Sequence, residues 1–196
     1  MSKSAAPLFT PFTTHNLTLP NRFVMAPMTR SKSPGEVPGS DVAAYYRRRA
    51  EAGMGLIVTE GTTIADPSAS NDASVPAFHG EKALAGWANV VREVKAVGGL
   101  IAPQLWHQGI ARKHGTGDNP DHPSISPSGL SRPEKKVGDA MDEVRIQSVV
   151  EAFAQGARDA QRLGFDAVEI HGAHGYLIDQ FFWEGTNRRD DRFGGS

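Results

Sequence analysis

Two hydrophobic periodicities alternate along the chain. Runs that are apolar nearly throughout occupy 22–27 (RFVMAP), 55–60 (GLIVTE), 100–106 (LIAPQLW) and 165–170 (FDAVEI). Such runs suit strands buried on both faces, as in a parallel sheet. Between them, apolar residues recur three or four apart, which predicts helices with one core-facing stripe. The first covers 41–52, with Ser40 as its expected N-cap and Gly53 as its stop. The second covers 82–97, where Leu84, Trp87, Val91, Val94 and Val97 share a face before Gly98 and Gly99. In the third, over 144–163, the stripe is Ile146, Val149, Val150, Phe153, Ala157 and Ala160, and Gly164 supplies a left-handed stop.

The resulting order, βαβαβαβ, is that of an α/β protein with right-handed crossovers, either doubly wound or a (β/α)8 barrel. Loop lengths favour the barrel. Helices run into strands through short connections, whereas the segments after strands are long: 29–40, 61–80 and 107–143, the last with 37 residues, five Gly and four Pro. Barrel enzymes elaborate that one side, the carboxyl ends of their strands, as the catalytic face. Ahead of the first strand, 12–19 reads as a weak hairpin turning near His15 and Asn16, expected to plug the opposite mouth of the barrel.

Composition narrows the functional classes. Of 196 residues, 39% are hydrophobic and 22% charged, with a net charge of −1, so no positive excess exists for nucleic acid or an anionic membrane. The absence of cysteine excludes disulfides, thiolate metal sites, iron–sulfur clusters and a cysteine nucleophile, and suits a reducing, cytoplasmic location. No apolar stretch reaches membrane-spanning length, and the N-terminus lacks a secretory pattern. The expected partner is a small molecule; homo-oligomerisation stays open.

The densest polar cluster follows the last strand, at His171, His174 and Tyr176. Two imidazoles and a phenol at a strand end can converge on one acceptor atom and polarise a carbonyl, but the same spacing also suits a structural turn or a metal pair. A metal would need a further ligand, for which Asp66, Glu60 and His107 near other strand ends are candidates. No HExxH occurs, and Glu169 is expected to face away from His171. Gly53 and Gly55 precede a strand instead of following one and no GxxxxGK[ST] is present, which argues against Rossmann and P-loop sites. At the remaining strand ends stand Pro27, Met28 and Thr29, then Gly61, then Gln104, Trp106 and His107. Taken singly, these read as turn or packing residues.

As an ordered set they resemble the old yellow enzyme family of FMN-dependent ene-reductases. The resemblance runs through LFTP (8–11), LPNR (19–22), APMTR (26–30), QLWHQG (104–109), EIHGAHGYL (169–177) and NRRDDRFGGS (187–196). It implies a TIM barrel of which this chain, 1–196, carries the N-terminal hairpin and about four βα units, as the N-terminal part of a single FMN-binding domain. It further implies an FMN bordered by Pro27, Met28 and Thr29, touched by the Gly61 backbone and bonded by Gln104, with NADH or NADPH as hydride donor. The implied reaction is reduction of an activated alkene whose carbonyl or nitro oxygen is held by His171 and His174, beside Trp106, while Tyr176 supplies the proton. No metal is implied. Thr29 stands where one branch has Cys and His174 where many classical members have Asn; His15, Ile110 and Phe193 replace the commoner Gly, Arg and Tyr. A closed barrel needs eight strands and about 250 residues, so a non-catalytic half-barrel is the competing reading, and a metal-dependent barrel hydrolase a third.

Overall fold

The computed structural model describes residues 4–195. An antiparallel hairpin of β1 (Phe12–Thr14) and β2 (Leu17–Leu19) turns through His15 and Asn16, with Phe12 opposite Leu19. His15 takes φ 42 in this tight turn. The hairpin leads into the amino-terminal end of the sheet, where Asn21 Nδ2 donates to the Gly53 carbonyl at 2.8 Å. Its location matches expectation, but β1 is exposed throughout and only Leu19 of the hairpin is buried.

There follow β3 (Val24–Met25), α1 (Ser40–Glu51), β4 (Leu56–Thr63), α2 (Glu81–Lys95) and β5 (Ile101–Trp106). After four short strands, β6 (Ile125–Ser126), β7 (Leu130–Arg132), β8 (Lys135–Lys136) and β9 (Asp139–Ala140), come α3 (Glu143–Leu163), β10 (Glu169–Ile170) and α4 (Leu177–Phe182). The main sheet is parallel, with order β3-β4-β5-β10. That order follows the chain without reversal. A doubly wound sheet reverses at a switch point, whereas a barrel winds one way, so this is the sheet of a partial TIM barrel.

Ile57, Ile101 and Leu105 join Tyr46, Trp87, Val94 and Ile146 in one core between sheet and helices. Trp87 is fully buried, and its Nε1 donates to the Ala77 carbonyl at 2.9 Å, so no indole N–H is orphaned. Each large apolar side chain buried in this way contributes about 1.5–3 kcal/mol. Strand alternation turns Gln104 and Trp106 to the opposite face from Leu105, the interior of the barrel. The third helix starts at Glu143, one residue earlier than predicted, where the Asp142 carboxylate accepts the Arg145 N–H at 2.7 Å, and ends as predicted at Leu163, closed by Gly164 at φ 86. At α1 the cap is Gly39 and Ser40 is already helical, one residue earlier than predicted.

Four further differences have physical causes. β4 runs on through Gly61 to Thr63 by a register shift between Val58 and Gly61. β3 and β10 are short because each lies at a sheet margin with one neighbour; pairing near β10 still extends from Asp166 N–H on the Ile101 carbonyl to His171 N–H on the Leu105 carbonyl, both 3.0 Å. The 107–143 segment is not structureless: β6 pairs with β9, and β7 with β8. Strands of two or three residues leave no readable period. Buried Arg112 also ties this segment, donating to the carbonyls of Ser70, Asp118, Asn119 and His122. Finally, the α3 stripe is wider than the core it covers. Val150 and Phe153 line an apolar groove of about 710 Å³ with Ile170, Phe181 and Phe182.

Candidate active site at the carboxyl ends of the strands

Register places the candidate residues in rows across the sheet. Gly61 lies opposite Gln104, and Gln104 opposite Glu169. One level further along, Thr63 lies opposite Trp106. Gly61 leaves a notch: a Cβ there would stand 3.3 Å from both Gln104 Oε1 and Trp106 Cε3. Glycine thereby opens backbone to a flat ligand that any side chain would push away. Glu169 aligns with inward-facing Gln104, and residues two apart on a strand share a face. The expectation that Glu169 points away from His171 is therefore corrected; one oxygen of its carboxylate is buried without a hydrogen bond among the described residues.

Beyond β10 the chain turns sharply, and three rings come together. The His171 and His174 ring centroids are 5.1 Å apart, and His171 and Tyr176 are 5.0 Å apart. Trp106 meets Tyr176 edge to face at 5.1 Å. The hydrogen bonds that shape this turn use backbone groups and the side chains of Asp179 and Gln180; among the described residues, none engages the polar atoms of the three rings. Burial pushes the His171 imidazole below its ordinary value, with His174 acting the same way and Glu169 and Asp179 opposing. This direction favours the neutral imidazole, which keeps one ring N–H.

Pro27, Met28 and Thr29 follow β3 at the same end of the sheet, and Met28 and Thr29 are exposed. Their position is set by Glu60, whose carboxylate accepts the Arg30 backbone N–H at 3.2 Å, pairs with the Arg30 guanidinium and receives the Tyr46 hydroxyl at 3.3 Å. The Tyr46 oxygen in turn accepts the Glu60 N–H at 2.8 Å. Burial and the adjacent Glu60 push the Tyr46 phenol well up, so it remains a donor.

The carboxylates considered as a third metal ligand have other partners. Glu60 is engaged as described, and Asp66 is paired with His107 and Arg145. Among the described residues, no three His, Cys, Asp or Glu groups are gathered so as to hold an ion. Although burial alone would raise Asp66, hydrogen bonds from His107 and Arg145 hold it well below the usual carboxylate range. His107 Nδ1 accepts the Gly109 N–H at 2.8 Å, which leaves Nε2–H to donate to Asp66. This buried network, like Arg112 and Gln180, was not singled out as a unit by sequence reasoning. Asp66, His107 and Arg112 stand in long loops that read as solvated, and Arg145 and Gln180 on helices where a polar residue reads as the solvated face; only folding brings their polar atoms to distant partners.

Comparison with known proteins agrees with this geometry. The family model described as NADH:flavin oxidoreductase / NADH oxidase matches residues 7–196. Among curated relatives, 12-oxophytodienoate reductase 7 of Oryza sativa subsp. japonica is 38% identical over 97% of this chain and 51% of its own length. The 12-oxophytodienoate reductase 2 of Arabidopsis thaliana is 36% identical over 100% of this chain and 54% of its own. The chain spans about half the length of the curated relatives it matches. Among solved structures, morphinone reductase superposes with TM-score 0.87 at 39% identity, covering 96% of this chain and 54% of that one. It has also been solved in complex with tetrahydroNAD. An old yellow enzyme homologue from Zymomonas mobilis gives TM-score 0.85 at 32% identity over 96% of this chain and 55% of that one. No described helix is long and apolar enough to cross a membrane. The parallel sheet, the inward rows of polar residues at its carboxyl ends and these matches lead to one conclusion: the chain belongs to the NADH:flavin oxidoreductase / NADH oxidase family of old yellow enzymes and carries the N-terminal part of its TIM barrel.

Proposed function

We propose that residues 1–196 are the N-terminal part of a single FMN-binding domain that uses NADH or NADPH to reduce the C=C bond of α,β-unsaturated carbonyl or nitro compounds. The carrying observation is the convergence of the His174 and Tyr176 rings on His171, 5.1 and 5.0 Å from its ring centroid, at the sheet end that also holds the Gly61 notch. The notch and the inward Gln104 amide fit a flat heterocycle with an amide-like edge. Pro27, Met28 and Thr29 would border that ring, with the Thr29 hydroxyl available to tune it. When bound, FMN reduced by the nicotinamide would supply hydride to the substrate's β-carbon.

The chain's own residues account for the rest. His171 and His174 each donate a ring N–H to the substrate's carbonyl or nitro oxygen. As negative charge grows on that oxygen, each preorganised donor is worth about 3–4 kcal/mol of barrier. Tyr176 is placed to give its phenolic proton to the α-carbon, and its edge-to-face contact with Trp106 holds the ring for that transfer.

The test is Tyr176→Phe in FMN-loaded protein, followed by stopped flow. Flavin reduction by the nicotinamide is expected to keep its rate, whereas reoxidation by cyclohexenone slows by about 10²–10⁴-fold. Equal slowing of both half-reactions would remove Tyr176 as proton donor. Failure of the protein to take up FMN would remove the cofactor assignment.

A further inference from the structure

The loop bearing His174 and Tyr176 is fastened from outside the site. His174 takes φ 61 and Gly175 φ 74, two consecutive left-handed residues of which the first has a side chain. That conformation costs a non-glycine residue about 1–2 kcal/mol, and it persists only where surrounding contacts hold it. Here both faces of Gly175 are held: its N–H donates to Asp179 Oδ2 at 2.7 Å, and its carbonyl accepts from Gln180 Nε2 at 2.7 Å. The same Nε2 reaches the Gln108 carbonyl at 3.3 Å, while Gln180 Oε1 accepts the Ile110 N–H at 3.1 Å. Gln180 is 4% exposed and lies over Gly109, where a methyl group would collide with its amide.

We infer that Gln180, assisted by Asp179, is a positioning residue that sets His174 and Tyr176 against His171 by locking Gly175 to the loop after β5. It touches no reacting atom, and its importance for catalysis rests on the function proposed above. The chemistry selects glutamine. Only an amide of this length accepts from one N–H and donates to two carbonyls; a carboxylate would face the Gly175 and Gln108 oxygens, and an apolar isostere would strand three backbone groups. His171 is anchored separately, through its own backbone bond to the Leu105 carbonyl. Loosening Gln180 therefore moves one imidazole relative to the other.

The experiment titrates p-chlorophenol, whose oxygen imitates an enolate, into FMN-loaded full chain while NMR follows the two imidazoles. Gln180→Met is expected to weaken the phenol about tenfold, or about 1.4 kcal/mol, and to shift the His174 signal while leaving that of His171 in place. Asp179→Ala, at a half-exposed position, is expected to shift the same His174 signal and serves if Gln180→Met does not fold. Unchanged phenol affinity and an unchanged His174 signal in a folded variant would overturn the inference, as would equal shifts of both imidazoles in Gln180→Met. If the unaltered protein binds no phenol, the oxyanion assignment has failed and the clamp is judged separately. Faster Gly175 amide exchange with a moved His174 signal then upholds it, and unchanged values overturn it.

Discussion

Replacing Glu60 by Gln tests whether one buried carboxylate organises the edge that carries Thr29. The Glu60 side chain is 0% exposed and that of Arg30 18%. Three donors converge on it: the Arg30 backbone N–H, the Arg30 guanidinium and the Tyr46 hydroxyl. The guanidinium also stacks on Tyr45, with Cζ 3.9 Å from the ring centroid. A glutamine amide offers one acceptor oxygen, so at least one donor meets an NH2 group, and the charge of Arg30 loses its counterion. A hydrogen bond to a charged group contributes about 1.5–3 kcal/mol, and breaking a fully buried pair costs about 3–5 kcal/mol. Because Arg30 retains some access to water, the loss falls in the upper part of the first range, at about 2–3 kcal/mol. At this chain length each kcal/mol moves Tm by about 2–4 °C, so Tm should fall by about 4–12 °C. Thermal and urea unfolding of Glu60→Gln, Arg30→Met and the double variant would measure it. The double variant should be less damaged than the sum of the two, by about 1–3 kcal/mol, because it removes the stranded cation. A Tm within about 1 °C of the unaltered protein, or simple additivity, would refute the role given to Glu60.

Two further outcomes follow from the same geometry. Burial pushes the His107 imidazole below its ordinary value, against Asp66 and with Arg145 and Arg112 acting the same way as burial. The unfolded chain therefore takes up a proton below about pH 6.5 that the folded chain refuses, and stability falls as pH drops through that range. The Asp66 contribution begins to be lost only when carboxylates of the unfolded chain start to protonate, below about pH 5, so unfolding midpoints at pH 7.5 and 5 report histidine protonation. His107→Gln should reduce the difference between the two midpoints, and an unchanged difference would count against it. At the notch, Gly61→Val should displace the Gln104 amide at an overpacking cost of about 1–3 kcal/mol, which appears as weaker FMN uptake by fluorescence titration; full-strength uptake would show that the flavin does not lie there.

Much of the architecture was legible from local signals. Gly164 and Gly98 mark helix ends, and the stripe over 82–97 predicted the helix that buries Trp87. The hairpin turned where His15 and Asn16 stand. The candidate site was legible in another sense: the segments around Pro27, Gln104 and His171 form an ordered set, although each alone is ordinary. What escaped were features that depend on partners distant in sequence. Asp66 and Arg145 are far apart along the chain, as are Ile110 and Gln180, so no window contains either pair. Glu169 was misplaced for a simpler reason, since strand parity puts it on the same face as His171.

The chain's own sequence determined the alternation of strands and helices, the elaboration of one end of the sheet and the residue types available there, because periodicity and turn chemistry are local properties. Tertiary structure decided the rest. The unreversed order β3-β4-β5-β10 selected the barrel over the doubly wound sheet, since strand neighbours depend on how crossovers pack and not on any one crossover. Only the folded turn brought the His174 and Tyr176 rings to 5.1 and 5.0 Å from that of His171. Only packing converted Glu60, Asp66 and Gln180 from ordinary polar residues into buried anchors, because burial is what makes an unsatisfied polar atom costly and a satisfied one rigid.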